Sequence, residues 1–175
     1  KGFLGTRPNV VVTSGVLKKF PTAKLGIGPA IERGFYYDFK LPRAISDADL
    51  KEFEQTMREL VAAKLDFKGE KITPAKARAL FKNQPFKLDL VKEFVKEKKQ
   101  LTAYYSCPPS AKSLVPSACF TDLCRGGHVK STSEINPDAF KLTKIAGAYW
   151  RGNEKNPQLI RIYGAAFATK QELEA

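Results

Sequence analysis

The chain has 175 residues, enough for one compact domain or two small lobes, and its 43% hydrophobic and 27% charged residues are typical of a globular protein. No apolar run approaches the roughly 20 residues of a membrane-spanning helix, so the composition argues against a membrane protein. Lysine and arginine number 30 against 18 aspartate and glutamate; the net charge of +12 favours polyanionic partners such as nucleic acid, although a generic basic surface explains it equally well.

The first residues and the cysteines together indicate a reducing compartment. Residues 1–8 contain no long apolar stretch followed by a small-residue cleavage site. Cys107, Cys119 and Cys124 form an odd set, and free thiols are the usual state of such a set in a chain without a secretory signal. We therefore expect a cytoplasmic protein without a disulfide framework.

The first third of the chain predicts a helix, a loop and a strand. Residues 10–20 are apolar and then basic, which favours a helix that Pro21 ends. The glycines and proline of residues 24–29 are typical of a tight loop. Residues 34–39, GFYYDF, are aromatic and short, which predicts a strand.

The middle of the chain predicts three helices. The first begins after Ser46, a good N-cap, and its inward face consists of apolar residues at three- and four-residue spacing: Leu50, Phe53, Met57, Leu60, Val61 and Leu65. The second has Thr73 as its cap and Pro74 at its first position, and ends near residues 83–85. The third spans about residues 88–99, and its charged run KEFVKEKK predicts a solvated face, with contact to phosphates as the alternative.

The last third predicts loops and strands. Residues 106–118 contain prolines and serines and predict an irregular surface loop, residues 159–167 predict a strand, and a short helix begins near Thr169. Interleaved helices and strands indicate an α+β fold, with helices packed on an antiparallel or mixed sheet. We expect one region over residues 1–175, with a helical sub-lobe at 40–100 and a strand-rich one at 101–175.

Residues 122–128, DLCRGGH, carry the clearest chemical signal. Cys124 and His128 are four residues apart, so on a helix or tight turn they could face one point, either as zinc ligands or as nucleophile and base. Arg125 and the paired glycines suit the close approach of a phosphate or carboxylate. The spacing alone is also compatible with a buried cysteine beside a hydrogen-bonded histidine.

This motif and three further segments of the chain together resemble a known protein family. The four are PTAKLGIGPAIERGFYYDF (residues 21–39), QPFKLDL (84–90), DLCRGGH (122–128) and FKLTKIAGAYWRGNEKNPQLIRIYGAAF (140–167). In this order they resemble the tRNA-editing region of threonyl-tRNA synthetases, and the last is similar in part to alanyl-tRNA synthetases. Four ordered segments are far more specific than any one motif.

The resemblance implies a fold and a function. The fold would be the α+β editing domain of threonyl- and alanyl-tRNA synthetases, and the reaction would be hydrolysis of seryl-tRNA(Thr), the mischarged ester. The partners would be the acceptor end of tRNA(Thr) and, if the chain is a fragment, the catalytic domain of the parent synthetase. No ATP-binding or class II synthetase core motif is present, so we expect no ATP site in this chain.

By the same resemblance, four residues would perform the chemistry. Cys124 and His128 would contact the reacting ester, and Asp122 would hold the amine of the substrate. Lys87 would contact the terminal ribose or stabilise developing negative charge.

Other residues would bind the substrate or the tRNA. Tyr37, with Tyr36 as its neighbour, would form a wall of the substrate pocket. Tyr149, Arg151 and Arg125 have the ring or the charge to meet the acceptor end of the tRNA. Trp150, beside them, is expected to lie in the core.

The sequence departs from the family at a pair of histidines. The family has an HxxxH pair on the helix before Pro21, and the two positions fall at about Thr6 and Val10 here. His128 is the only histidine, and one thiol with one imidazole is an incomplete ligand set, so we expect no tightly bound zinc. Three interpretations stay open: an editing domain with an altered site, a non-catalytic relative that binds tRNA or ribosomal RNA, and a structural spacer.

Overall fold

A computed structural model describes residues 6–31, 34–62, 66–107, 120–123 and 140–166. These residues form an α+β fold, as predicted. In chain order the elements are α1 (Thr6–Lys19), β1 (Lys24–Leu25), β2 (Ala30–Ile31), β3 (Gly34–Lys40), α2 (Asp47–Ala62), β4 (Asp66–Ile72), α3 (Pro74–Leu80), α4 (Pro85–Lys96), β5 (Leu101–Cys107), β6 (Phe120–Leu123), β7 (Phe140–Tyr149), a 3-10 turn (Trp150–Gly152) and β8 (Gln158–Ala166).

The strands form two antiparallel sheets. The large sheet has the order β1-β3-β8-β7, with β2 also paired to β3. The small sheet has the order β4-β5-β6. The large sheet therefore joins an early segment of the chain to a late one, and the small sheet is built from the residues between them.

Helices α1 and α2 cover one face of the large sheet. Helix α1 buries Val11, Val12 and Val16 against the strand residues Phe35 and Phe39. Burial of these valines outweighs the weak helix preference of β-branched residues. The predicted helix at residues 10–20 is confirmed but begins earlier, at Thr6, because Pro8 lies in the first turn, where its missing N–H costs no hydrogen bond.

The buried carboxylate of Asp49 accepts hydrogen bonds at the start of helix α2. The backbone N–H of Ser46 donates to Asp49 Oδ2 at 2.9 Å, and Arg43 donates to both carboxylate oxygens at 3.0 and 2.9 Å. The Arg43 guanidinium, the Ser46 N–H and Lys19 hold the pKa of Asp49 well below its usual range. Helix α2 begins immediately after Ser46, as predicted, and buries Leu50, Phe53, Met57 and Val61; Leu65 lies outside the described residues.

Helices α3 and α4 pack beside the small sheet. Thr73 Oγ1 accepts the backbone N–H of Lys76 at 3.2 Å, and Pro74 occupies the first helical position, so both predicted signals for α3 are confirmed. Helix α4 begins at Pro85 rather than residue 88, because Pro85 also suits a first helical position. Its lysines from Lys92 onward are exposed, as predicted for a solvated face.

Some sequence expectations lie outside the described residues or remain predictions. Residues 108–119, which contain most of the predicted loop, and the predicted helix at Thr169 lie outside the described residues. Strand β8 confirms the strand predicted at residues 159–167. Strand β4 was not predicted; this strand lies within the segment 40–100 and pairs with β5 along its whole length. The division into two sub-lobes stays a prediction. Among the described helices, none has the length and apolar composition needed to cross a bilayer.

Candidate functional site

A lysine, a tyrosine and an aspartate meet between the two sheets. Tyr37 comes from β3 of the large sheet, Asp122 from β6 of the small sheet, and Lys87 from α4. Tyr37 Oη donates to Asp122 Oδ2 at 2.6 Å, and Lys87 Nζ donates to Tyr37 Oη at 2.9 Å. Lys87 Nζ lies 2.6 Å from Asp122 Oδ1. Each of the three side chains therefore contacts the other two, and we call these residues the Lys–Tyr–Asp cluster.

The three side chains of the cluster are deeply buried. Lys87 is 2% exposed, Tyr37 2% and Asp122 5%. Lysine and aspartate are almost never buried to this extent unless they are paired, because the charged form loses its hydration. The direct contact between Lys87 and Asp122 compensates for that loss, and charge-assisted bonds of this kind are stronger than neutral ones.

The cluster retains hydrogen-bonding capacity. Asp122 Oδ1 accepts from Lys87 and from the backbone N–H of Leu123 at 2.8 Å, and Asp122 Oδ2 accepts from Tyr37. A carboxylate has about four acceptor positions and an ammonium has three donors. Among the described residues, three of those acceptor positions and two of the Lys87 donors are used. Within this part of the chain, one acceptor position of Asp122 and one donor of Lys87 are therefore not used.

Helix α4, which carries Lys87, is fixed to the large sheet at its N-terminus. Gln84 Oε1 accepts the backbone N–H of Leu25 at 2.7 Å, and Gln84 Nε2 donates to the carbonyl of Ala23 at 3.3 Å. Lys24 Nζ donates to the carbonyl of Asn83 at 2.9 Å. These bonds tie the start of α4 to the edge strand β1.

The same helix is also fixed beyond Lys87. Trp150 Nε1 and Arg151 Nε each donate to Asp89 Oδ2 at 2.9 Å, and Arg151 Nη2 lies 3.2 Å from Glu93. The Trp150 N–H and the Arg151 guanidinium lower the pKa of Asp89. Trp150 is 6% exposed, so its predicted burial is confirmed. Lys87 therefore lies on a helix that is attached to the large sheet on both sides of it.

The ring of Tyr37 is positioned by a glycine. A Cβ atom added to Gly28 would lie 1.9 Å from Tyr37 Cδ2, far inside van der Waals contact. Gly28 follows β1, where the chain continues to pair with β3, since the backbone N–H of Asp38 donates to the carbonyl of Ile27 at 2.9 Å. The absence of a side chain at position 28 thus lets the Tyr37 ring approach the backbone closely.

The structure separates the other candidate residues from the cluster. Tyr36 lies on the opposite face of β3, against Tyr163 and Arg161. Tyr149 is 42% exposed at the end of β7, and Arg151 is held in ion pairs with Asp89 and Glu93 of α4.

The Cys/His motif lies beyond the end of β6. Cys124, Arg125 and His128 are outside the described residues, and β6 ends at Leu123, the residue immediately before Cys124. The chain positions of the missing histidines, Thr6 and Val10, fall one turn apart in α1.

Comparison with known proteins identifies the family. Residues 105–163 match the model of the threonyl and alanyl tRNA synthetase second additional domain. The chain is 48% identical over 163 residues to a threonine–tRNA ligase of Dehalococcoides mccartyi, and that match covers 93% of the chain. The chain belongs to the threonyl-tRNA synthetase family, in the region of the second additional domain.

Other threonyl-tRNA synthetases align over the same region. Identity is 47% over 163 residues with a threonine–tRNA ligase of Treponema pallidum, covering 93% of the chain, and 42% over 165 residues with one of Borreliella burgdorferi, covering 94%. The chain spans about a quarter of the length of these curated relatives, the aligned part being 25% of the Dehalococcoides protein and 26% of the other two. Tyr37 and Lys87 lie outside the family-model match, and Asp122 lies inside it.

The described part of this threonyl-tRNA synthetase family member offers no set of metal ligands. Within the described ranges, no three His, Cys, Asp or Glu side chains gather in a way that could hold a metal ion. The candidate ligands Cys124 and His128 lie outside those ranges. Asp122 is engaged with Lys87 and Tyr37, so in this arrangement it is committed to the cluster.

Several residues that position the site were not predicted. Gly28, Gln84 and Asp89 all act through contacts with parts of the chain that are distant in sequence. Asp89 carries a weak signal, since it lies two residues after Lys87 in a segment that resembles the threonyl-tRNA synthetase family. Gly28 belongs to the glycine-rich loop that the sequence does predict, but its contact with Tyr37 requires the fold.

Proposed function

We propose that this chain is a tRNA-editing region that hydrolyses seryl-tRNA(Thr), the mischarged product of a threonyl-tRNA synthetase. The supporting observation is the buried Lys–Tyr–Asp cluster. Asp122 lies two residues before Cys124, in the same segment as His128. The described residues leave one donor and one acceptor position of this buried charge pair unused, and its carboxylate is close in sequence to a thiol and an imidazole. Such an arrangement suits the binding of a small polar ester.

The unused positions of the cluster suggest how the ester is held. The ammonium group of the seryl moiety donates to Asp122 Oδ2, which accepts only from Tyr37 among the described residues. Lys87 Nζ uses its third donor to bind an oxygen of the ester or of the terminal ribose. Tyr37 lies between the two and fixes both in orientation. The cluster thereby recognises the aminoacyl group by its positive amine and its polar ester.

The proposed reaction is the addition of water to the ester. Water attacks the carbonyl carbon, and His128 takes its proton as general base. The resulting oxyanion is stabilised by the positive charge of Lys87. The bond from carbon to the ribose oxygen then breaks, and that oxygen receives the proton from His128, which leaves serine and free tRNA. Cys124 contacts the reacting ester. We propose that no tightly bound zinc takes part, since Cys124 and His128 supply two ligands where zinc takes three or four.

The need for such a site follows from the size of the substrates. Serine lacks one methyl group of threonine, and a missing methyl group changes binding by only about 1–3 kcal/mol. A synthetic site therefore cannot reject serine strongly, and a second site removes the error. The proposed partners are the acceptor end of tRNA(Thr) and the catalytic domain of a synthetase.

A non-catalytic RNA-binding relative is the second candidate. The net charge of +12 and the presence of a single histidine favour it. Such a protein would bind tRNA or ribosomal RNA with an affinity that falls steeply with salt, and it would hydrolyse no ester at any pH.

Replacing Cys124 with alanine tests the editing proposal. We expect Cys124→Ala to slow the release of serine from seryl-tRNA(Thr) by about 10²–10⁴-fold, the range associated with loss of a group that acts on the reacting atoms. Binding of uncharged tRNA(Thr) should stay within a few-fold of the unmodified chain. The matched control is Cys107→Ala, which removes a thiol from β5 and should leave hydrolysis unchanged. Full activity of Cys124→Ala would remove this cysteine from the reaction.

A further inference from the structure

The face of the large sheet opposite the Lys–Tyr–Asp cluster carries basic and aromatic side chains. Side chains alternate between the two faces of a strand, so Tyr36 and Tyr37 lie on opposite faces of β3. Tyr36 pairs with Tyr163 of β8, and Tyr163 pairs with Lys144 of β7. With their neighbours they form a surface that we call the basic face, which consists of Tyr36, Lys141, Lys144, Arg161 and Tyr163.

A β-bulge brings both lysines of β7 to this face. The register of β7 against β8 shifts between Leu142 and Lys144, so that Lys144 rather than Thr143 lies opposite Tyr163. Lys141 pairs with Ala165, which shares a face with Tyr163. Without the extra residue, Lys144 would point to the opposite face of the strand. Both lysines are exposed.

Two cations of the basic face, Lys144 and Arg161, lie against its aromatic rings. Lys144 Nζ lies 4.4 Å from the centre of the Tyr163 ring, and the Arg161 guanidinium lies 4.0 Å from the centre of the Tyr36 ring. The two rings are 5.8 Å apart. Arg161 also donates to both oxygens of Asp38 at 2.8 and 3.0 Å. Cation–π contact and the bidentate ion pair restrict these side chains before any ligand binds.

Positively charged residues outnumber negatively charged ones on these three strands. Strands β3, β7 and β8 carry the cations Lys40, Lys141, Lys144 and Arg161, and their one acidic residue is Asp38. Asp38 is buried and paired with Arg161, so its charge is compensated. Among the described residues, Lys141 and Lys144 form no ion pair, and they share a face of the sheet with two half-buried tyrosine rings.

We propose that the basic face binds RNA, with its lysines on phosphates and its tyrosine rings against sugars or bases. Fixed cations beside aromatic rings are the combination that binds a nucleic acid strand, because every phosphate is an anion and every base has a face that stacks. The identity of this RNA as the acceptor arm of tRNA rests on the proposed editing function. The arm would contact the outer face of the large sheet while its aminoacylated end reaches the cluster on the other side.

The test compares two charge reversals of equal size. We expect Lys141→Glu with Lys144→Glu to weaken binding of uncharged tRNA(Thr) by about 10–100-fold near 0.1 M salt, and to make the slope of log affinity against log salt shallower by about 1.4–1.8. The control, Lys51→Glu with Lys82→Glu, changes the net charge equally at exposed positions outside the basic face, and should weaken binding by a few-fold at most. Equal losses for the two variants would overturn the proposal.

A tyrosine variant and a short substrate complete the test. Tyr163→Leu keeps both lysines and should weaken tRNA binding several-fold by removing one ring, whereas unchanged binding would exclude a role for that ring. The Lys141/Lys144 variant should hydrolyse a 3′-seryl ester of adenosine as fast as the unmodified chain does, because this ester lacks the acceptor stem. A third outcome separates the two proposals. If neither the unmodified chain nor any variant hydrolyses seryl-tRNA(Thr) or the adenosine ester, but the Lys141/Lys144 variant still loses tRNA binding selectively, the editing function is wrong and the RNA-binding face is supported.

Discussion

Lys87→Met is expected to lower the free energy of unfolding by about 3–5 kcal/mol and to abolish hydrolysis of seryl-tRNA(Thr). The substitution leaves the Asp122 carboxylate buried without its ammonium partner, and an uncompensated buried charge costs several kcal/mol. Urea denaturation measures the first effect, and release of serine measures the second. Lys92→Met, on the exposed side of the same helix, should change stability by no more than about 0.5 kcal/mol.

A triple variant separates stability from function at this cluster. Lys87→Met, Asp122→Leu and Tyr37→Phe together replace the polar groups by apolar side chains of similar volume. Such replacement of a buried ion pair is often neutral or stabilising, so we expect most of the lost stability to return. Hydrolysis should stay absent, because the groups proposed to hold the ester are gone. A triple variant that is as unstable as Lys87→Met would show that the stability depends on something other than the charge pair.

Gly28→Ala is expected to destabilise the chain by about 1–3 kcal/mol and to slow hydrolysis of seryl-tRNA(Thr). The new methyl group would overlap the Tyr37 ring, so the ring or the loop must move, and overpacking of this kind costs that amount. Movement of the ring shifts the hydroxyl that contacts both Lys87 and Asp122. Urea denaturation and serine release are again the measurements.

Two comparisons isolate the contact between Gly28 and Tyr37. Gly147→Ala is the matched control, because its added Cβ would meet only the far end of the Gln158 side chain, which can move aside. In a chain that already carries Tyr37→Ala, Gly28→Ala should cost much less, and the difference is the coupling energy of the pair. If Gly28→Ala lowers stability equally in the unmodified chain and in the Tyr37→Ala chain, contact with the Tyr37 ring is not the reason for a glycine at position 28.

Local signals predicted the helices well. Helix α2 follows a capping serine and repeats apolar residues every three or four positions, and α3 follows a threonine cap and a proline. These signals lie within one or two turns of the helix that they start. Helix α1 was predicted too short because the apolar run that indicates it starts at Val10, whereas the helix begins at Thr6 and tolerates Pro8 in its first turn.

Strand pairing and the cluster depend on distant contacts. Strand β4 has the sequence DFKGEKI, which carries little strand signal, and its pairing with β5 stabilises it. The resemblance named Tyr37, Lys87 and Asp122, but their mutual contacts join positions that are 50 and 85 residues apart. The run Phe35-Tyr36-Tyr37 does not reveal which tyrosine faces the cluster. That choice follows from the packing of Tyr37 against Gly28 and Lys87.

The central claim is that this chain hydrolyses a mischarged tRNA. The direct measurement is the rate of serine release from seryl-tRNA(Thr) by the unmodified chain, with threonine release from threonyl-tRNA(Thr) as the control. The editing proposal predicts that serine is released well above the spontaneous rate and that threonine is released far more slowly. Release of both at the spontaneous rate, with tRNA still bound, would contradict it and would leave an RNA-binding relative that has kept the fold without the reaction.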